Sequence, residues 1–136
     1  MKAATLAERC ETRVLDAEGV GEMALLAMAV PILPGKTEQW LQLTRELQGP
    51  RRGDFVASRS RLGIRESAFL QRSPQGDIVI VTFEGDDPAG ALKRMGEAND
   101  EFTRWFVQQV KEIHALDLTQ PPSGPLPEQI TDSQGI

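Results

Sequence analysis

The sequence predicts an α+β fold, an antiparallel sheet with helices on one face. Three stretches carry that expectation: two strand-like segments joined by Ser73-Pro74-Gln75-Gly76, an apolar run from Met23 to Ile32 closed by prolines, and a long amphipathic segment after Asn99-Asp100. The 136 residues make one ordinary domain, long enough to bury roughly two thirds of the unfolded surface. Residues 21–118 are expected to form it. An N-terminal arm (1–20) and a proline-rich tail (119–136) flank it.

In chain order, the arm reads as loosely ordered, with one short helical turn. Glu8, Arg9, Glu11 and Arg13 stand where a secretory signal would place its apolar core. Met23–Ile32 has a helix-like composition, but Pro31 and Pro34-Gly35 stop a helix there, and a helical pattern follows at once. It is therefore expected as a strand without alternation, apolar on both faces, with Pro31 at its end or on an edge. Thr37 can cap the next helix, whose inward stripe is Trp40, Leu43, Thr44 and Leu47 and whose end is Gly49-Pro50. A second helix is expected over 54–62, with Phe55, Arg59 and Leu62 on one side and Gly63 as terminator.

The hairpin follows, from Ile64 to Gln71 and from Ile78 to Glu84. A four-residue loop sets Arg72 opposite Asp77, Leu70 opposite Val79, Ala68 opposite Val81, Glu66 opposite Phe83 and Arg65 opposite Glu84. A slip of one residue would separate the opposite charges and turn each side chain to the other face. One face then reads Ile64, Glu66, Ala68, Leu70, Val79, Val81, Phe83, and the other still carries Phe69, Ile78 and Ile80. Asp87-Pro88 starts a helix with Ala91, Leu92 and Met95 inward and Gly96 at its end. Asn99 or Asp100 caps the longest helix, in which Phe102, Trp105, Phe106, Val110 and Ile113 recur at helical spacing. Leu116 and Leu118 suit a short last strand. Beyond them, Pro121 to Pro127 suits a mobile tail or an extended strap across a neighbour.

Strand, helix pair, strand, strand, helices is the order of a ferredoxin-like split β-α-β sheet. Helices from one chain cover one sheet face, yet the first strand and the hairpin are apolar on both. A second copy of the same face would cover the other, giving a two-fold homodimer. A net charge of −5 argues against a general nucleic-acid binder, and no run reaches membrane-spanning length. Arg51, Arg52, Arg59, Arg61, Arg65 and Arg72 make a local basic exception, read as a solvated helix face or an anion site. The single Cys10 forms no intrachain disulfide, which suits a reducing, cytoplasmic setting.

With Pro34-Gly35-Lys36 opening the first helix and Phe102-Thr103-Arg104-Trp105-Phe106 in the last, this order resembles the dimeric α+β barrel superfamily. Within it, Met23 to Leu118 is similar to a small uncharacterised bacterial family carrying Gln71, Gly76-Asp77 and Lys111-Glu112-Ile113-His114. The resemblance implies a range of activities: cofactor-independent monooxygenases, haem-degrading and haem-using enzymes, small isomerases, and members without activity. The haem-degrading branch pairs a tryptophan and a histidine on the last main helix with an asparagine on the first strand. Trp105 and His114 offer the former, but the first strand has no asparagine.

The inventory of chemistry is short. His114 is the only histidine, so no multi-histidine metal site exists, and no metal or cofactor is expected. Near a helix C-terminus, the dipole would favour its protonated form. Glu66, on an apolar face, is either a desolvated carboxylate fit to act as a general base or a strand-end group reaching water near Arg65. A small-molecule pocket between sheet and helices would take Glu66 and His114 as candidate catalytic groups, with Trp40, Phe83, Trp105 and Phe106 as walls. The competing expectation is a non-catalytic dimeric binding or assembly module, in which these residues are core and the tail makes the contacts.

Overall fold

The computed structural model describes residues 7–8, 12–13 and 23–135. In the N-terminal arm, β1 (Ala7–Glu8) and β2 (Thr12–Arg13) form a minimal parallel pair. The helical turn expected elsewhere in the arm lies outside the described residues. The main sheet comprises β3 (Ala24–Pro31), β4 (Ile64–Gln71) and β5 (Ile78–Gly85), in the order β3-β5-β4. Both ladders are antiparallel, so β3 and β4 run parallel to each other on either side of β5.

The hairpin register is the expected one: Leu70 faces Val79, Ala68 faces Val81, Glu66 faces Phe83 and Arg65 faces Glu84. Arg65 and Glu84 approach to 4.0 Å. Asp77 instead accepts a 2.6 Å hydrogen bond from Thr37 Oγ1, tying the hairpin's turn to the start of the first helix. Thr37 is therefore not a cap. It is the first residue of α1 (Thr37–Gln48), whose preceding Lys36 makes no capping bond. The long-range acceptor on Asp77 won its hydroxyl.

α2 (Arg52–Leu62) ends on Gly63, left-handed at φ 72°, where a side chain would be strained. α3 (Pro88–Glu97) starts as Asp87-Pro88 predicts, with the Asp87 carboxylate accepting from the Gly90 amide at 3.0 Å. Gly96 does not end it. The carbonyl of Leu118 passes so close that a Cβ on Gly96 would lie 1.8 Å from its oxygen. α4 (Glu101–His114) is capped by Asp100, which accepts from Thr103, and it buries Phe102, Phe106, Val110 and Ile113. No described helix is long and apolar enough to cross a membrane.

The four helices of the described residues meet the core on the same side of the sheet. Leu26, Ile64, Val79 and Phe83 face them and are buried with Trp40, Leu43, Leu47, Met95 and the α4 stripe. The opposite face stays open: Leu25 and Phe69 are 46% and 58% exposed, and Ala27 and Ala29 are exposed beside them. Leu116 and Leu118 form no strand. Ala115 turns the chain left-handed (φ 56°), and Leu118 then crosses α3 and packs against the core. The tail continues over its own chain, with Leu126 packed on the same core. It straps this molecule, where the sequence suggested a mobile tail or a strap across a neighbour.

Candidate functional site

The sheet rows Val30–Val79–Leu70, Met28–Val81–Ala68 and Leu26–Phe83–Glu66 run beneath the helices. Their side chains point one way because strand residues alternate faces. The helices do not close down on all of them. Between sheet and helices lies a cavity of about 1200 Å³. Met28, Val30, Val79, Val81 and Phe83 form its floor. Trp40, Leu43 and Leu47 of α1, Leu92 and Met95 of α3, and Phe106 and Val110 of α4 form its walls. The strap closes one side with Leu118, Pro121, Pro122 and Leu126. This volume slightly exceeds the roughly 300–1,000 Å³ of usual ligand sites, and an apolar wall with few polar groups is their usual chemistry.

Of the six residues singled out in the sequence, Trp40, Phe83, Phe106, Glu66 and His114 line the cavity. Trp105 does not. Its ring lies 5.7 Å from that of Phe102 and is covered by the Arg51 guanidinium at 4.2 Å, while Arg51 also holds Glu101 at 3.1 Å. A tryptophan stacked under a surface arginine does not reach the cavity with His114, and the haem-degrading arrangement loses its second member as well as its asparagine.

Glu66 and His114 are not brought together. Glu66 stands in the row of Leu26 and Phe83, whereas His114 is bonded to Pro31, five residues along β3. That offset is about 17 Å at the rise of an extended strand. They are the two ends of one cavity, and no joint acid–base pair can be built from them.

The Glu66 end differs from both expectations. Glu66 Oε1 accepts from Arg59 Nε at 2.6 Å, and the two side chains are only 9% and 6% exposed. The carboxylate is thus neither unpaired nor turned to water near Arg65. The guanidinium lies between the rings of Phe55 (4.9 Å) and Phe106 (4.4 Å), and its Nη1 donates to Ser58 Oγ at 2.9 Å. Its Nη2 is buried without a partner among the described residues. Arg59 was missed as a site residue, although the signal existed. It shares the inward side of α2 with Phe55, and the left-handed Gly63 folds the chain back so that Glu66 meets it.

At the other end His114 Nδ1 lies 2.9 Å from the carbonyl oxygen of Pro31. A carbonyl only accepts, so Nδ1 carries the proton, and Nε2 of the neutral ring is an acceptor without a hydrogen-bond partner among the described residues. Burial pushes the imidazole below its ordinary 6.5 and outweighs the Pro31 bond, which pushes it up. Desolvation thus acts against the protonated form that a helix C-terminus favours. Since the folded state resists protonation, the unfolded chain binds more protons in the interval below 6.5. Stability from this group is complete above that pH and falls as pH drops through the lowered folded value. Thermal melts at pH 7.5 and about pH 5.5 should show a drop in wild type that is smaller in His114→Gln; equal drops would refute the assignment.

Comparison of the chain with family models, with curated proteins and with solved structures returns no match.

Proposed function

We propose that this chain is a homodimeric protein of the dimeric α+β barrel type that binds a small, largely apolar organic molecule between its sheet and helices. The observation that carries the reading is the cavity itself: about 1200 Å³, walled by aliphatic and aromatic side chains, with Glu66 and His114 at opposite ends. A molecule that needed an empty core for no purpose would forfeit packing energy along every wall, because interiors are otherwise filled to crystal density.

The sheet order supports the ferredoxin-like, split β-α-β reading: β3 and β4 are parallel, joined through α1 and α2, with β5 antiparallel between them. The second copy is argued from the open face. Its central row is Ala29–Ile80–Phe69, beside the row Ala27–Thr82–Ser67. A large ring next to a trough of small side chains is self-complementary under a two-fold axis, so each Phe69 fills the other copy's trough. Any enzymatic version of this function, of the metal-independent monooxygenase or isomerase kind, would use His114 Nε2 as its proton acceptor, the sequence having no other histidine.

Native mass spectrometry of protein purified gently from its own host tests both halves. A dimer with added small-molecule mass is expected, and Phe69→Glu should give monomers by placing a charge in the shared face. A wild-type monomer at micromolar concentration would overturn the dimer. A bare dimer that also takes up no apolar probe would overturn the binding reading.

A further inference from the structure

β3 is an outer strand of the sheet, and its ladder decides which of its backbone groups point away from β5. In an antiparallel pair, residues whose N–H and C=O engage the neighbour alternate with residues whose groups point to the other side. The Ile32 amide donates to the Asp77 carbonyl at 2.9 Å, one step beyond the Pro31–Ile78 pair, so even-numbered residues of β3 face β5 and odd-numbered ones face outward. Two contacts agree. The Pro31 carbonyl accepts from His114 Nδ1, and the Leu33 amide donates to the Ile113 carbonyl of α4, both from outside the ladder. Pro31 has no N–H to offer. The outward groups left within the strand are the amides and carbonyls of Leu25, Ala27 and Ala29, and no described segment hydrogen-bonds to them. Proteins usually blunt an open edge with charge, a bulge or a covering segment. The other outer strand, β4, carries Arg65 and Glu66, with Arg72 just beyond it. From Ala24 to Pro31 there is no charged residue, and the ladder runs without a bulge.

We propose that this edge pairs with the same edge of a second copy, antiparallel about a two-fold axis between the paired Ala27 residues. Ala27 then meets Ala27, and Leu25 meets Ala29 of the second copy, so each copy donates and accepts at all three positions. No outward group within the strand is left over. At the next outward position Met23 would meet Pro31, which lacks an N–H and whose carbonyl already serves His114, so the ladder stops and the register is fixed. A foreign strand could match the hydrogen bonds alone. What favours a second copy is that the open residues map onto themselves, with Pro31 closing both ends and no charge on either strand to repel its twin across the axis. The large Leu25 also falls beside the small Ala29. One strand edge buries less than the roughly 1,200 Å² of a stable interface, so the contact belongs to concentrated protein. It is separate from the Phe69 face contact and does not depend on it. Each edge is used once, and association closes at a doubling.

The test is sedimentation velocity of the full chain at about 5 and about 500 μM, with amide exchange followed at both concentrations. Wild type should double in mass at the higher one. The starting mass reads the face contact and the doubling reads the edge, so the two can fail separately. The Leu25, Ala27 and Ala29 amides should slow about tenfold on doubling, while those of Leu26, Met28 and Val30, held by β5, should not change. Ala27→Pro removes an outward N–H that β5 does not use, so the variant should keep the starting mass and lose the doubling. If it does not fold, the alternating exchange of wild type decides alone. An unchanged mass at the higher concentration, or a doubling during which the three amides stay fast, would overturn the proposal. Those amides slow at both concentrations with no change in mass would assign the edge to another part of the same chain and overturn it too.

Discussion

Arg59→Met is expected to be the most destabilising single substitution in the site, lowering the unfolding free energy by about 3–5 kcal/mol, the usual consequence of stranding one member of a buried ion pair. The reason is local. Removing the guanidinium leaves Glu66 only 9% exposed, between a strand and a helix, with no other cation within bonding range among the described residues. It also withdraws the flat group that Phe55 and Phe106 enclose, so packing is lost together with charge. The double variant Arg59→Met with Glu66→Leu should recover most of the loss, because a well-packed apolar pair often matches a buried ionic one. Urea unfolding of the three proteins gives the comparison directly. A single variant within about 1 kcal/mol of wild type would show that the pair does not hold α2 to β4.

Gly96→Ala should detach the strap. The added Cβ would sit 1.8 Å from the Leu118 carbonyl oxygen and 2.8 Å from its carbon, and both belong to backbone that cannot rotate away. One side must move. α3 is fixed to the core by Ala91 and Met95, which are 0% and 1% exposed, whereas most of the segment after Leu118 is exposed and held mainly by Leu118 and Leu126. The strap should therefore yield, with faster amide exchange from residue 118 to 126, unchanged protection in α3 and α4, and a loss of about 1–3 kcal/mol. Exchange that accelerates in α3 while the strap stays protected would reverse this ranking.

The parts of the fold legible in the sequence are those specified by neighbours in the chain. The Leu70–Val79 to Arg65–Glu84 register follows from one four-residue loop and the alternation of apolar side chains, and it is the register observed. The same holds for Pro31 at the strand end, for Asp87-Pro88, and for the Phe102 to Ile113 stripe. What could not be read is set by partners far away in sequence. Thr37 looked like a cap because its true acceptor, Asp77, is 40 residues on. Gly96 looked like a helix end because nothing local announces that Leu118 crosses there. Trp105 shares helical spacing with Phe102 and Phe106, yet its offset of about 100° from Phe106 and the arrival of Arg51 put it outside the cavity. Glu66 was suspected for the right reason, its carboxylate on an apolar face, but periodicity cannot say which cation meets it. Arg59 was already on the inward side of α2, so the pair was within reach of a reading that folded the chain back at Gly63.

The strap has a thermodynamic consequence for any occupant of the cavity. Because Pro121, Pro122 and Leu126 line the space and are covalently attached, they are present there at an effective concentration fixed by the length of the tether, not by how much protein is in the tube. A ligand short enough to lie beneath them gains their contacts. One long enough to reach the mouth must displace them, and its apparent affinity falls by the fraction of time the segment spends in place. The same apolar residues therefore act as wall for small guests and as competitor for large ones, giving the cavity a size limit that no rigid part of the fold imposes.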